Sequence, residues 1–455
     1  MSSLRTAVRW VCLRACFVAI AGPALLGLSD RAPQQGHAAA PAPAVAVAKG
    51  AVDSPAPGPR DHAVARLGVD SWHQAGIRGR GVKVAILDSG FHDYRTFLGN
   101  ALPANVAVKS FRRDGNLEAR DSQHGILCAD VIHTIAPDAQ LLFANWEPDR
   151  PESFLKAAQW AKEQGAKVIS CSIIMPSWSD GEGGGDVHAA LAKIVGGDML
   201  FCASAGNLAQ RHWSGAVNPD ADGFHQWTPD CKDNAVIPWG DERVSVELYG
   251  PSCRDLELQV LDSATGTVLG RCRAGLENSQ CGCCNAVVRF QPRAGQQYVA
   301  RVRRPNAETS DKSAAFHIVV LGGGLQETTA AGSIPFPGDG KAVHAIGAVD
   351  SGDQRLSYSS CGSNSALPKP DFVAAIPFPS AWREKPFAGT SAAAPQAAAL
   401  AALVWALHPA WTAAQISQYL AGQARDLGPI GHDCETGHGL LHLPAIETPF
   451  QNIKR

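Results

Sequence analysis

The sequence predicts an α/β fold, a three-layer domain with a central parallel sheet, interrupted by an inserted β-sandwich or jelly-roll module. Three observations predict it. Short apolar runs ending in polar residues alternate with helical repeats between 81 and 207. After about 210 the texture changes to short β-rich runs, and after 341 the alternating texture returns. Alternation of this kind marks strands covered on both faces by helices, as in parallel sheets.

The elements follow in order. GVKVAILDSG (81–90) reads as a buried strand with Asp88 at its carboxyl end. HGILCADVIHTIA (124–136) has helical spacing, and AQLLFANW (139–146) is a second strand. FLKAAQWAKEQG (154–165) is a helix that stops at Gly165, and AKVISCSII (166–174) is the third strand. HAALAKIVGG (188–197) is a helix, and DMLFCASAGN (198–207) is a fourth strand that ends at Asn207. VSVELYG, LELQVLD, TVLGRCRA, AVVRFQP, QYVARVRR and AFHIVVLG lie between 240 and 322, separated by turn formers, as in a small sandwich. KAVHAIGAVD (341–350) resumes the α/β pattern, and the helices PQAAALAALVWALHP (395–409) and TAAQISQYLAGQA (412–424) complete it. The expected organisation is therefore one α/β domain over 61–210 and 335–446, a β-rich module over 211–334 and a tail at 447–455.

Residues 1–40 read as a secretory signal peptide: Arg5, Arg9 and Arg14 precede the apolar run 15–28, and HAAAPA (37–42) offers small-residue cleavage positions. That run is shorter than the roughly 20 residues of a membrane-spanning helix. The Pro/Ala-rich stretch 41–60 reads as a linker. The net charge of −2 gives no basic field for nucleic acid and no electrostatic attraction to membranes. The chain has 13 cysteines, five of them crowded into 253–284 and ending in CGCC. In an exported chain that density predicts a disulfide-stapled insert, with a metal site as the alternative, although the spacing fits no standard zinc pattern.

Three stretches carry chemistry. Asp88 ends a strand in LDSG, His124 begins a helix in DSQHGILCADVI, and Ser391 lies at the turn before a helix in FAGTSAAAP. Acyl transfer needs a hydroxyl, a base and a carboxylate to orient that base, and the chain order Asp, His, Ser is one of the known solutions. A helix start beside the hydroxyl offers amide donors, and Asn207 offers another for a developing oxyanion. Taken singly, Asp88 and Ser391 also read as capping residues, His124 as a helix-start residue and Asn207 as a turn former.

Together with VKVAILDSG, HGILCADVIHTIAPDAQL, ASAGN, AIGAVD with YSSCGS, KPDFVA, FAGTSAAAP followed by HPAWTAAQI, and the closing TGHGLLHLPAI, the sequence resembles the subtilisin-like serine proteases over about 60–210 and 335–446. The resemblance implies an Asp88–His124–Ser391 triad, with Asn207 and the Ser391 amide binding the oxyanion. It further implies a cleft lined by 170–174, with Ser170, Ser172, Ile173, Ala205 and Gly206 on the substrate. It implies a secreted or periplasmic serine endopeptidase that acts on polypeptides as a monomer, with no nucleic-acid or membrane partner after signal cleavage. The chemistry requires no cofactor and no metal.

Departures qualify these expectations. The His segment continues Gly125-Ile126-Leu127-Cys128-Ala129-Asp130 where the family usually has Gly-Thr-His-Val-Ala-Gly, so Cys128 lies one turn from His124. A cysteine there reads either as a mercurial-sensitive thiol or as buried packing. HTIAPDAQ is short where many subtilisins insert a calcium loop, so that calcium site is expected to be absent; other structural calcium stays open. Ile173-Ile174-Met175 and Ala209 stand where glycines are common, which predicts a narrow pocket favouring small or medium apolar residues before the scissile bond. No folded inhibitory propeptide is recognisable. In the insert, Trp213, Phe224, Trp227 and Trp239 read as core or as a sugar- or protein-binding face. Two alternatives compete with the enzyme: a catalytically silent binding or scaffold relative, and a surface- or carbohydrate-binding protein with incidental proteolysis.

Overall fold

Alternate side chains of Lys83–Leu87 (β1) serve two different cores. Val84 and Ile86 join the apolar cluster on one side of the sheet, and Ala85 and Leu87 join the cluster on the other. Only a strand covered on both faces needs apolar residues at every position. This computed structural model describes residues 58–275, 283–305, 315–362 and 367–446. The expected signal peptide, all but the last few residues of the expected linker, and the C-terminal tail lie outside those residues. The linker reading of 41–60 is corrected at its end, because Pro59 and Arg60 open a helix, Pro59–Arg66 (α1), with proline in its first turn.

Chain order then runs through Asp70–Gln74 (α2), β1, Ala107–Phe111 (β2), His124–Ile135 (α3), Gln140–Trp146 (β3), Pro151–Glu163 (α4), Val168–Cys171 (β4), Asp186–Val195 (α5) and Leu200–Ser204 (β5). After the β-rich stretch come His344–Val349 (β15), Phe372–Ala375 (β16), Thr390–Leu407 (α6) and Ala413–Gln423 (α7). The seven strands form one parallel sheet in the order β16-β15-β5-β4-β1-β3-β2. The chain leaves β1 to build β3 and β2 on one side, then returns to build β4, β5, β15 and β16 on the other. The reversal beside β1 opens a crevice at the carboxyl ends of the strands, where ligands of such sheets bind.

Helices α1, α2, α3, α6 and α7 pack on one face, and α4 and α5 on the other, giving the expected three layers. α6 is apolar on nearly every side because it is buried on nearly every side, and this accounts for its membrane-like composition. Its neighbour α7 is started by Thr412, whose hydroxyl accepts from the Gln415 amide at 3.3 Å while Gln415 reaches back to the Thr412 amide at 2.9 Å. β2 escaped the sequence reading because it is an exposed edge strand with no apolar run.

Among the described residues, nine strands lie between β5 and β15 and pair antiparallel. They are His212–Ala216 (β6), Asn234–Pro238 (β7), Val244–Tyr249 (β8), Glu257–Asp262 (β9), Val268–Arg273 (β10), Asn285–Phe290 (β11), Tyr298–Arg303 (β12), Ala315–Leu321 (β13) and Gly323–Leu325 (β14). They form a five-stranded sheet, β10-β9-β12-β7-β14, and a four-stranded sheet, β11-β8-β13-β6, which share one apolar cluster. Trp213, Trp227 and Phe316 meet there, with ring centroids 4.9–6.1 Å apart. Trp239 does not join them and is 66% exposed.

The disulfide staple does not join Cys253, Cys272 and Cys284, which carry free thiols. Just before β11 the two adjacent cysteines part: Cys283 enters the α4/α5 core, whereas Cys284 enters the β-sheet core. Cys281 lies outside the described residues.

One buried charge ties the first helix to the site-bearing α3. Asp130 is 1% exposed, and its carboxylate accepts from Arg60 of α1 at 3.0 Å and from the Ala381 amide at 3.0 Å. Burial pushes the Asp130 carboxyl up, and the Arg60 charge opposes that shift. Arg60→Ala leaves the carboxylate buried with one donor fewer and is expected to lower unfolding free energy by about 1–3 kcal/mol. Denaturant titration at neutral pH measures it, and unchanged stability would mean that Asp130 is neutral in the fold.

Candidate active site

The site is assembled from the carboxyl ends of three adjacent strands and the first turns of two helices. Asp88 follows β1, Ser172 follows β4 and Asn207 lies just past β5, while His124 opens α3 and Ser391 sits in the first turn of α6. Ser391 is not the helix cap: Gly389 holds that position with φ 83°. A side chain at Gly389 is strained by that φ, and a Cβ there would press on Asn207 Nδ2 at 3.0 Å.

Asp88 is fully buried. Its Oδ1 accepts from the Ser89 and Gly90 amides at 2.8 and 2.9 Å, and its Oδ2 accepts from His124 Nδ1 at 2.7 Å. These bonds fix the tautomer: with a proton on Nδ1, His124 Nε2 carries the lone pair. Burial pulls the His124 imidazole down, but the charge and hydrogen bond of Asp88 outweigh it and leave the ring above its ordinary value. The approach of α3 to β1 needs a glycine. A Cβ on Gly125 would lie 2.6 Å from the Phe91 ring and 2.9 Å from Asp88 Cβ.

Ser391 is seated by Pro395. Proline has no amide hydrogen, so the Ser391 carbonyl four residues earlier lacks its helical donor. Ser172 Oγ donates to that carbonyl at 3.1 Å, and Cys128 Sγ lies 3.7 Å from it. In return the Ser391 hydroxyl donates to the Ser172 carbonyl at 3.4 Å. No hydrogen bond joins it to His124 among the described residues. The two segments are nevertheless neighbours, since Cys128 Sγ is also 3.9 Å from Asp88 Oδ2. Burial and the Asp88 charge push the Cys128 thiol well up, so it is a neutral packing group beneath the site.

Asn207 is oriented by Thr390. Its Oδ1 accepts from the Thr390 amide at 3.1 Å and the Thr390 hydroxyl at 3.0 Å, which turns Nδ2 away as a donor. The same hydroxyl accepts from the Gly206 amide at 3.2 Å, binding the end of β5 to the start of α6.

Of the expected cleft-lining set, Ser170 lies inside β4, a central strand, and Ala205 packs with Ile334 and Ala345; both side chains are fully buried. Ser172 and Ile173 lie beyond the strand end at Cys171, and Gly206 takes φ 94° beside Pro335 and Ser360. Ile174 and Met175 pack into apolar clusters. Thr390 and the Ser172 hydroxyl were not singled out in the sequence; the one readable signal was the position of Thr390 inside Gly-Thr-Ser.

The subtilase family model matches residues 79–225 and 281–439, more than half of the chain, and the chain belongs to that family. It is 33% identical over 137 residues to subtilisin amylosacchariticus from Bacillus subtilis subsp. amylosacchariticus, covering 30% of this chain and 35% of that one. It is 31% identical over 115 residues to alkaline elastase YaB from Bacillus sp. (strain YaB), covering 25% of this chain and 29% of that one. The chain thus spans about a third of the length of these relatives. In fold it is similar to the Clostridium perfringens CspB protease, with TM-score 0.61, 15% identity, and coverage of 84% of this chain and 95% of that one. The family model leaves 226–280 unmatched, within the stretch that carries β7 to β10.

Pro395→Ala returns a helical donor to the Ser391 carbonyl, in competition with Ser172 and Cys128. Displacing a reacting group by about 1 Å costs on the order of 100-fold. The variant is expected to lose roughly ten- to hundredfold in kcat with KM little changed. Steady-state kinetics against a cleaved peptide measures the split, and an unchanged kcat would remove Pro395 from the positioning of Ser391.

Proposed function

We propose that the chain is a secreted serine endopeptidase working through an acyl-enzyme. The observation that carries this reading is the buried Asp88 carboxylate that holds His124 by Nδ1 at 2.7 Å, with Ser391 and Asn207 on the adjoining segments. His124 Nε2 takes the Ser391 hydroxyl proton as Oγ attacks a peptide carbonyl. Asn207 Nδ2 and the Ser391 amide receive the negative oxygen. The imidazolium then protonates the departing amine, and water repeats the sequence on the ester. For this the Ser391 hydroxyl rotates from the Ser172 carbonyl towards Nε2, in keeping with catalytic hydrogen bonds that form only with substrate bound.

Export is supported by the Arg-flanked apolar run near the N-terminus, and polypeptide substrates and a monomeric state follow from the same reading. Residues 211–334 are read as an accessory β-module. Ile173, beyond the end of β4, supports a pocket for small or medium apolar residues before the scissile bond. A second reading, a catalytically silent scaffold, draws on the Ser391–Ser172 hydrogen bond, which leaves the hydroxyl unactivated as found.

Labelling with a fluorophosphonate separates the two. Modification mapped to Ser391 and lost in Ser391→Ala is expected, whereas a folded chain that resists the probe makes the scaffold the better reading. In the active enzyme the base must be neutral. Because the folded His124 pKa lies above 6.5, activity is lost as pH falls through a value above 6.5. The acid limb of the kcat/KM profile reports that value, and a limb near pH 5 would contradict the Asp88 pairing. In a peptide library, residues such as Ala, Val or Leu are expected before the cleaved bond; a profile led by Phe, Tyr or Arg would reject the narrow pocket.

A further inference from the structure

One cation beside the site has no carboxylate partner among the described residues. Arg211 lies four residues past Asn207, and its Nε donates to the Asn207 carbonyl at 2.9 Å. Among the described residues no ion pair engages its guanidinium. Its Cζ sits 4.7 Å from the centroid of the Trp239 ring. Trp239 follows β7 and is held there by its amide, which donates to the Gly322 carbonyl at 3.2 Å. It is the largest exposed aromatic among the described residues, and it comes from the stretch that the family model does not match. Burial lowers the Arg211 pKa to about 10, so the group remains a cation at neutral pH.

The two residues share a cavity of about 480 Å³ with Asn207, Gln210, Tyr358, Ala388 and Gly389. The cavity therefore opens beside the oxyanion donor and the turn before Ser391. None of its walls comes from Ser172, Ile173 or Gly206, the residues read above as lying before the scissile bond. On that reading the cavity lies under the half that departs. A guanidinium presents a planar fork that matches a carboxylate, and stacking on an indole fixes the plane of that fork.

Resting on the protease reading above, we propose that Arg211, stacked on Trp239, binds a carboxylate on the leaving-group side of the substrate. The carboxylate is either an Asp or Glu side chain a few residues past the cleaved bond or the free C-terminus of a short departing piece. Specificity arises because a neutral isostere leaves the half-buried cation without an anion. Trp239, and with it the unmatched stretch, thereby becomes part of substrate selection.

Internally quenched peptides that share the acyl half test this in the wild-type enzyme, Arg211→Gln and Trp239→Ala. One set places Glu, Gln or Lys at the second and third positions after the bond. The other ends at those positions with a free acid or an amide. Expected for wild type is a kcat/KM about tenfold higher for Glu over Gln, or for acid over amide, expressed in KM; which set shows it identifies the source. Arg211→Gln abolishes the ratio, and Trp239→Ala, a change at an exposed side chain, reduces it. Equal rates for acid and neutral peptides in wild type, or a ratio retained without Arg211, would overturn the subsite. Wild-type enzyme that is not labelled at Ser391 would instead overturn the protease reading, and the subsite with it.

Discussion

A carboxylate removed from water must have its acceptor sites filled, and Asp88 is fully removed from water. Two backbone amides fill one oxygen and the His124 ring fills the other, so charge burial and histidine orientation are a single constraint. Meeting it requires α3 to start within hydrogen-bond reach of the end of β1. That reach requires Gly125 where the helix crosses Gly90 and Phe91. The raised imidazole pKa has the same origin, because the partner that orients the ring also stabilises its protonated form.

The other half of the site depends on a missing hydrogen bond. Pro395 breaks the helical ladder at the Ser391 carbonyl, and the vacated acceptor becomes the point at which β4, α3 and α6 meet through Ser172 and Cys128. Thr390 does the corresponding work on the far side, joining Asn207 and Gly206 through one hydroxyl. Consecutive residues of one helical turn thus fix the Ser391 segment and the Asn207 amide. A rigid α6, buried along most of its length, gives that turn a stable base.

The antiparallel sheets meet the parallel domain through polar contacts beside the apolar cluster of Leu208, Ile174, Tyr249 and Val319. Asn285 of β11 donates to the Ser177 carbonyl at 2.9 Å, and Glu247 of β8 accepts from the Ser177 amide at 3.3 Å. His317 of β13 faces Glu182 at 3.3 Å, and its other nitrogen lies 3.0 Å from His212 of β6. Burial lowers the His212 pKa to about 3, so that ring is neutral. Tyr249 stacks on His317 with centroids 5.2 Å apart. The loop after β4, which leads away from Ser172, is therefore braced from outside the parallel domain, and Trp239 reaches the site from the same stretch.

Local sequence determined most strands and helices of both textures, because their apolar spacing records which faces are covered, but α1, α2 and the short strands β6, β7, β14 and β16 were not read from it. It also placed Asp88, His124, Asn207 and Ser391 at element ends, where short polar interruptions of apolar runs are visible in one dimension. Edge strand β2 was not legible, since an exposed edge carries no such pattern. Nor could the sequence tell that Ser170 and Ala205 are fully buried while Ser172 touches Ser391: Ser170 and Ser172 share a face by period-two alternation, and what separates them is that β4 ends at Cys171. Tertiary structure alone decided which atoms fill the Ser391 carbonyl and which way the Asn207 amide turns. It also decided that Trp239, unlike Trp213 and Trp227, leaves the core to stack on Arg211. Each of these depends on groups far apart in the chain, brought within hydrogen-bond or van der Waals reach only once the sheet order is set.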